Sequence, residues 1–386
     1  MLEPTDLTTR ATAALRTTFG TEATVVGRAP GRVNLIGEHT DYNAGLVLPV
    51  ALPHATYVAA APRTDRVVRL ASAQTPDQFT GTLDDLGPGL TGWVAYVGGV
   101  LWALRQGGLD VPGLDLYVDS CVPFGAGLSS SAALLCATAS AGVGLAGQAL
   151  GEEMRETIVA AATRAENEVA GAPTGGMDQS VSTFATAGDA LLIDFATGMH
   201  RGVPLALDDR TLLVTDTRAE HSHADGGYGE RRAQCEKAAA DLGLRTLREA
   251  TLDQVETLAD DVVRRRARHI VTEIARVEPT VDALGSGDWA AIGELFAASH
   301  ASMRDDFEIS VPELDLAVAT AVGAGADGAR MTGGGFGGSI VSILPTAAVE
   351  SVTAAIDKAF AEAGHGAPGH LIASPSAGAT FTEATR

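Results

Sequence analysis

Lysine is almost missing from this chain of 386 residues: only Lys237 and Lys358 occur, and neither stands in a glycine-rich loop. That excludes a phosphate loop of the kind that closes on a lysine. Any phosphate must be met by backbone N–H groups, by arginine or by a metal. Cysteine is nearly as scarce. Cys121, Cys136 and Cys235 are far apart and form no CxxC pair, so there is no disulfide framework and no thiolate metal rhythm. The expectation is buried thiols in a reducing, cytoplasmic setting. Positive charge is also in deficit, and the net charge of −21 repels nucleic-acid backbones and anionic membrane surfaces alike. Neither class of partner is expected. The first residues lack the basic, apolar and small-residue succession of a signal peptide. Charge is absent altogether from Ser120 to Gly151, a run longer than the roughly 20 residues that span a bilayer. Its alanine, glycine and serine content fits a helix buried inside protein instead.

What remains is a globular composition, 46% hydrophobic and 19% charged, long enough for two domains with a core each. No internal repeat or low-complexity linker is visible. The most informative stretch is Pro123-Phe-Gly-Ala-Gly-Leu-Ser-Ser-Ser-Ala-Ala133. Its proline and glycines let the backbone turn closely, and three hydroxyls stand where an alanine-rich helix begins. Unpaired first-turn N–H groups and the helix dipole make such a place a phosphate cradle. An ordinary serine cap on a buried helix is the alternative.

Earlier, Ala29-Pro-Gly-Arg-Val-Asn-Leu-Ile-Gly-Glu-His-Thr-Asp-Tyr-Asn43 is the densest polar cluster. Arg32, Asn34, Glu38, His39 and Asp41 crowd a loop anchored by Leu35 and Ile36, which suits recognition of a neutral sugar by fixed donors and acceptors. His39 has no second histidine at a spacing that would make it a metal ligand. After Gly171-Ala-Pro-Thr-Gly-Gly176 comes Met177-Asp178-Gln179, an acid entering a helix. Asp178 is either a favourable first-turn carboxylate or a base over a substrate hydroxyl. A third glycine stretch, Met331-Thr-Gly-Gly-Gly-Phe-Gly-Gly338, lies between two strands and lets backbone or ligand approach closely.

Between these motifs the pattern predicts a helix at 6–19, a strand at 23–28, and an antiparallel sheet from strands at 46–49, 54–61 and 67–72. Helices follow at 93–106, 128–145 and 152–170, with a strand at 114–118 leading into the cradle. From about Leu205 the character shifts. A strand at 211–215 precedes a polar loop at 217–229 that holds His221, His223 and Tyr228; the histidines suit a surface loop better than a metal site. Mostly helical sequence runs to about Ala324, and Arg264-Arg-Arg-Ala-Arg268 is expected on the solvated face of a helix. Strands at 328–331, 339–344 and 370–373 and a helix at 347–364 complete the pattern.

In order and spacing these stretches resemble the galactokinase family of the GHMP kinase superfamily. The PGRVNLIGEHTDYN loop carries the galactokinase part of the resemblance; PxGxGLSSSA, GGMDQ and MTGGGFGG carry the rest. The resemblance implies an α+β fold of two domains, 1–205 and 206–386, with mixed sheets, helices on one side of the first, and the active site in the cleft between them. The second domain would hold the glycine motif at 333–338. It implies transfer of the ATP γ-phosphate to the anomeric hydroxyl of galactose, the first step of galactose catabolism, with Mg²⁺ as cofactor. Asp178 would receive the hydroxyl proton, as a base or as an electrostatic partner, with Arg32 beside it. Glu38, His39, Thr40, Asp41 and Tyr228 would meet the sugar. Gly125, Ala126, Gly127, Leu128, Ser129, Ser130 and Ser131 would wrap the nucleotide, with Ser72 bordering it. Ser131 and Glu166 would hold Mg²⁺, largely through water and phosphate. The small-molecule substrates would be galactose and MgATP, and a monomer is the simplest assembly. The chain departs from the family pattern at Ser339, where relatives often have cysteine, and only loosely matches it over Glu220–Gly227. Two rival readings are a kinase for another sugar, such as N-acetylgalactosamine or arabinose, and a non-catalytic sugar sensor on the same fold.

Overall fold

The computed structural model describes residues 7–219 and 224–384. Helix α1 (Leu7–Phe19) is followed by β1 (Val25–Asn34), β2 (Leu46–Val47), β3 (Pro49–Arg63), β4 (Val67–Ser72) and β5 (Thr75–Thr82). Next come α2 (Gly92–Gln106), β6 (Gly113–Ser120), α3 (Ser130–Leu145), α4 (Glu152–Glu168) and α5 (Met177–Phe184). A hairpin of β7 (Asp189–Asp194) and β8 (Met199–Pro204) leads to β9 (Arg210–Asp216). Helices α6 (Ala224–Asp241), α7 (Leu252–Val255), α8 (Asp261–Ser286), α9 (Trp289–Asp305) and α10 (Pro312–Gly323) come before β10 (Gly328–Thr332) and β11 (Ser339–Pro345). The chain closes with α11 (Val349–Ala363), β12 (Gly369–Ala373) and β13 (Thr380–Glu383).

The first sheet has six strands in the order β13-β1-β3-β6-β4-β5. It is mixed rather than antiparallel throughout, because β4 pairs parallel with β6, Val68 opposite Leu114 through Ser72 opposite Val118. This corrects the antiparallel expectation for the strand at 67–72. Strand alternation sends Val25, Val58 and Ala60 to one face, where they meet Leu101, Leu135 and Ala162 of α2, α3 and α4. Gly27 sits under α3 so closely that a Cβ there would lie 2.2 Å from Ala137 O. Val26, Ala59 and Ala61 face the other way and are covered by Ala11 and Leu15 of α1. Helices therefore cover both faces, not one.

The second sheet, β10-β11-β9-β12, is antiparallel and packs beneath α6, α8, α10 and α11 through Cys235, Ile270, Leu314 and Ile356. Between the two sheets lies a cluster drawn from both halves of the sequence, with Val33, Leu48 and Val50 against Leu212, Val341 and Phe296. The last strand, β13, returns to pair with β1, Val25 opposite Glu383.

Two further expectations are revised. Helix α6 begins at Ala224, so the polar segment expected as a loop to 229 is helical over its second half. His221 and His223 lie outside the described residues. Arg266 is not on a solvated face: it is 2% exposed and donates to Asp306 O, Glu308 and Gln234. Its neighbours Arg264, Arg265 and Arg268 are paired with acids at the surface. Among the described residues no helix is long and apolar enough to cross a membrane.

Candidate active site

Two cavities bear on the candidate site, the larger of them bordered by the turn between β6 and α3. The larger, about 620 Å³, is lined by Ser72, Trp93, Tyr96, Val118, Phe124, Ser130 and Ser131 among others. Its walls are mainly apolar and aromatic, and the Trp93 indole N–H has no protein partner. The smaller, about 150 Å³, is lined by Arg32, Glu38, His39, Asp41, Glu166, Asp178, Tyr228, Gly333 and Gly334 with a few neighbours. Residues more than 300 positions apart meet there because β1, α5, α6 and the loop after β10 converge.

The cradle has the backbone its glycines require. Gly125 and Gly127 have φ of 75° and 71°, and Ser129, at the start of α3, has φ of 58°. Its carbonyls are tied down from behind. Ala126 O accepts from Ser339 Oγ at 2.7 Å, Gly127 O from Arg32 Nη1 at 2.7 Å, and Leu128 O from Arg32 N at 3.1 Å. Ser339, the departure from the usual cysteine, thus makes a hydrogen bond that holds the turn. Ser129 does not cap its helix, for its hydroxyl donates to Asp178 Oδ2. The first-turn N–H groups of α3 are therefore left for an anion, which favours the cradle over the ordinary-cap reading.

Asp178 is gripped by Arg32 in a two-pronged pair, Nε to Oδ1 at 2.7 Å and Nη2 to Oδ2 at 2.8 Å. Arg32 is 5% exposed, whereas the Asp178 side chain keeps 23% exposure towards the cavity. Such bidentate geometry fixes the carboxylate's plane as well as its charge. Next to it Glu166 receives hydrogen bonds from Ser131 and from Gln179 Nε2. Burial, helped by the charge of Asp178, lifts the Glu166 carboxyl to about 7 despite those bonds. Ser131 lines the larger cavity and Glu166 the smaller, so this hydrogen-bonded pair spans the boundary between them.

His39, with φ of 64°, is neutral. Burial, and then the neighbouring His269, drives its pKa down to about 3. Its Nε2 faces Gly334 O at 3.2 Å, an acceptor only, so the proton sits there and Nδ1 accepts from Tyr42 OH at 2.8 Å. Tyr228 stacks at a tilt on the His39 ring, 5.1 Å between centroids. Burial and the charges of Asp41 and Asp178 push the Tyr228 hydroxyl well above its usual pKa, so it remains a neutral donor.

Glu38 lines the smaller cavity but is 1% exposed, and its carboxylate is held inside by Arg330, by Gly333 N at 3.1 Å and by Thr332 Oγ1 at 3.3 Å. Burial raises its pKa even against Arg330. Thr40 is not among the residues lining the cavity, and its buried hydroxyl is turned into the loop between Gly37 O at 2.9 Å and Leu46 O at 2.6 Å. Ser72 does border the larger cavity, its hydroxyl 3.1 Å from Gln74 Oε1.

Sequence reasoning missed Arg330, which is wholly buried and also donates to Leu35 O at 2.7 Å. It missed Glu273 too, which accepts from Gly37 N at 3.0 Å and from Arg276 at 2.8 Å. Burial would raise the Glu273 carboxyl, but Arg330, His269 and Arg276 outweigh it and hold it at about 2. An arginine inside a short strand beside a glycine loop was the available signal.

Three family models match the chain: the galactokinase galactose-binding signature over residues 13–62, the GHMP kinase N-terminal domain over 95–186 and the GHMP kinase C-terminal domain over 280–362. Galactokinase from Streptomyces coelicolor is 50% identical over 378 residues, covering 94% of this chain and 96% of that one. Galactokinase from Mycobacterium tuberculosis is 44% identical over 353 residues, covering 89% and 96%. The crystal structure of Lactococcus lactis galactokinase complexed with galactose superposes with a TM-score of 0.91 at 29% identity, covering 97% of this chain and all of that one. With motifs, fold and whole-length relatives in agreement, the chain belongs to the galactokinase family of the GHMP kinases.

Proposed function

We propose that the chain is an ATP-dependent sugar kinase that moves the γ-phosphate of ATP to the C1 hydroxyl of D-galactose, yielding galactose 1-phosphate and ADP. The observation that carries this reading is the junction of the two cavities, where Ser131, Glu166, Asp178 and Arg32 stand together between a large apolar pocket and a small polar one. The apolar pocket suits a base and ribose, bordered by Ser72. The polar one suits a sugar, faced by Asp41, His39, Tyr228 and the edge of Glu38. Thr40 is assigned to holding the sugar loop rather than to the sugar itself.

Gly125 to Ser131 would place backbone N–H groups around the phosphates, directing the γ-phosphate to the junction. Phosphoryl transfer passes through a loose transition state, so alignment and charge neutralisation do most of the work. Asp178 faces the position of the C1 hydroxyl and takes its proton as the O–P bond forms. Arg32 holds Asp178 in plane and adds positive charge next to the transferring group. A hard cation fits the donor set beside it: a buried carboxylate at Glu166 and the Ser131 hydroxyl, with phosphate and water completing the shell. Among the described residues no group of three or more His, Cys, Asp or Glu side chains could hold a metal ion, so phosphate and water would have to supply much of the coordination. Mg²⁺, when bound there, supplies charge neutralisation at the phosphates. Lobes 1–205 and 206–386, a cytoplasmic location and a monomeric state complete the proposal.

The test is Asp178→Asn. Its shape preserves the cavity, so galactose binding measured by calorimetry should stay within about threefold while turnover falls by about 10³ or more, in the upper half of the roughly 10²–10⁴ that general base catalysis contributes. Turnover near the wild-type rate would remove Asp178 from the mechanism.

A further inference from the structure

Phe336 is the one residue with a side chain in the glycine stretch 333–338. Its backbone has φ of 60°, and its amide donates to Ile309 O at 2.7 Å. The ring lies against the first turn of α6: a Cβ built on Gly227 would come within 2.5 Å of its Cζ. Arg231, one turn along the same helix, places its guanidinium 5.5 Å from the ring centroid. That arginine is itself fixed, Nε to Phe307 O at 2.6 Å and Nη2 to Glu308 O at 3.0 Å.

Between Gly227 and Arg231 stands Tyr228, which lines the smaller cavity and stacks on His39. The turn that presents it is intrinsically weak. Gly226, Gly227 and Gly229 surround Tyr228, and each glycine in a helix costs about 1 kcal/mol relative to alanine. Gly226 and Gly229 have open space where a Cβ would lie, so no packing there compensates. The close contact on this turn comes from Phe336.

We propose that Phe336 is a positioning residue for the sugar site: its ring braces Gly227 and thereby sets Tyr228 against His39 as one wall of the galactose pocket. It touches neither cavity and takes no part in the chemistry. The inference rests on the reading of the smaller cavity as the galactose site.

The experiment is steady-state kinetics on the full chain with Phe336→Ala, Phe336→Leu, Gly227→Ala and the Phe336→Ala/Gly227→Ala double variant, each checked by thermal melting. Phe336→Ala should raise the KM for galactose about tenfold, with kcat and the KM for MgATP within about twofold of wild type. Phe336→Leu should recover most of the loss. Gly227→Ala should also raise the galactose KM, because its methyl displaces the ring. In the double variant the methyl fills the space the ring has left, so its effect should be clearly smaller than the product of the two single effects. A galactose KM unchanged in Phe336→Ala, singles that multiply, or an equal rise in the MgATP KM would each overturn the proposal. Wild-type protein that shows no saturation by galactose would instead remove the sugar-site reading, and this inference with it.

Discussion

Asp41 shares the smaller cavity with Asp178, and burial together with that neighbouring charge lifts its carboxyl to about 6 from an ordinary 3.8. In the proposed role its carboxylate would accept hydrogen bonds from sugar hydroxyls above that pH; as pH falls through 6 it takes up a proton and loses acceptor capacity. The KM for galactose should therefore be flat from neutral pH upward and rise below pH 6, approaching about tenfold per pH unit for a single titrating group. Asp41→Asn should give a raised and flat profile; a wild-type KM that stays flat down to pH 5 would contradict the assignment. For stability the sign runs the other way. The folded state binds the Asp41 proton more tightly than the unfolded chain, so this group's contribution declines as pH rises from about 4 to about 6 and is constant above. At this scale the motifs singled out Asp178, Arg32 and Ser131 as candidates, and the structure brings Asp178 against Arg32 and Ser131 against Glu166. The sequence was not readable for Thr40, whose hydroxyl suits a sugar and a loop carbonyl equally well.

The glycine loop after β10 and the cradle before α3 touch each other as elements. A Cβ on Gly333 would lie 3.0 Å from Gly127 O, and Gly333 has φ of 89°. Gly333→Ala should push the cradle out of register and add backbone strain of about 1–3 kcal/mol. The account expects a raised KM for MgATP and a reduced kcat, with melting lowered by a few degrees. An alanine variant with wild-type MgATP kinetics would show that the contact between the loops is incidental. Glycine patterns made these two loops visible in the sequence, because close backbone approach excludes every other residue. The parallel pairing of β4 with β6 was invisible, since strand direction depends on where α2 carries the chain. So was the early start of α6 at Ala224, where three glycines mask a helix that tertiary contact sustains.

Across the whole molecule, one buried ionic network joins the loop after β1 to the second sheet: Arg330 on β10 binds Glu38 and Leu35 O from the first half and lies 3.4 Å from Glu273 of α8. Its partners lie far apart in sequence, which is why no local pattern announced it. Removing one member leaves buried carboxylates uncompensated, so Arg330→Met should cost about 3–5 kcal/mol of stability in urea unfolding, and a loss below about 1 kcal/mol would contradict that role. Within the smaller cavity Asp178 and Glu38 are paired with Arg32 and Arg330, whereas Asp41 and Glu166 stand without a basic partner among the described residues and their carboxyls are raised. Phosphoryl transfer to galactose by the protein as a working unit is tested most directly by a coupled assay of ADP release from MgATP with galactose, glucose, N-acetylgalactosamine and arabinose offered in turn. The account predicts rapid, saturable turnover with galactose and little with the others. ATP left untouched by all four sugars, while galactose still raises the melting temperature, would contradict it and leave a sugar sensor in its place.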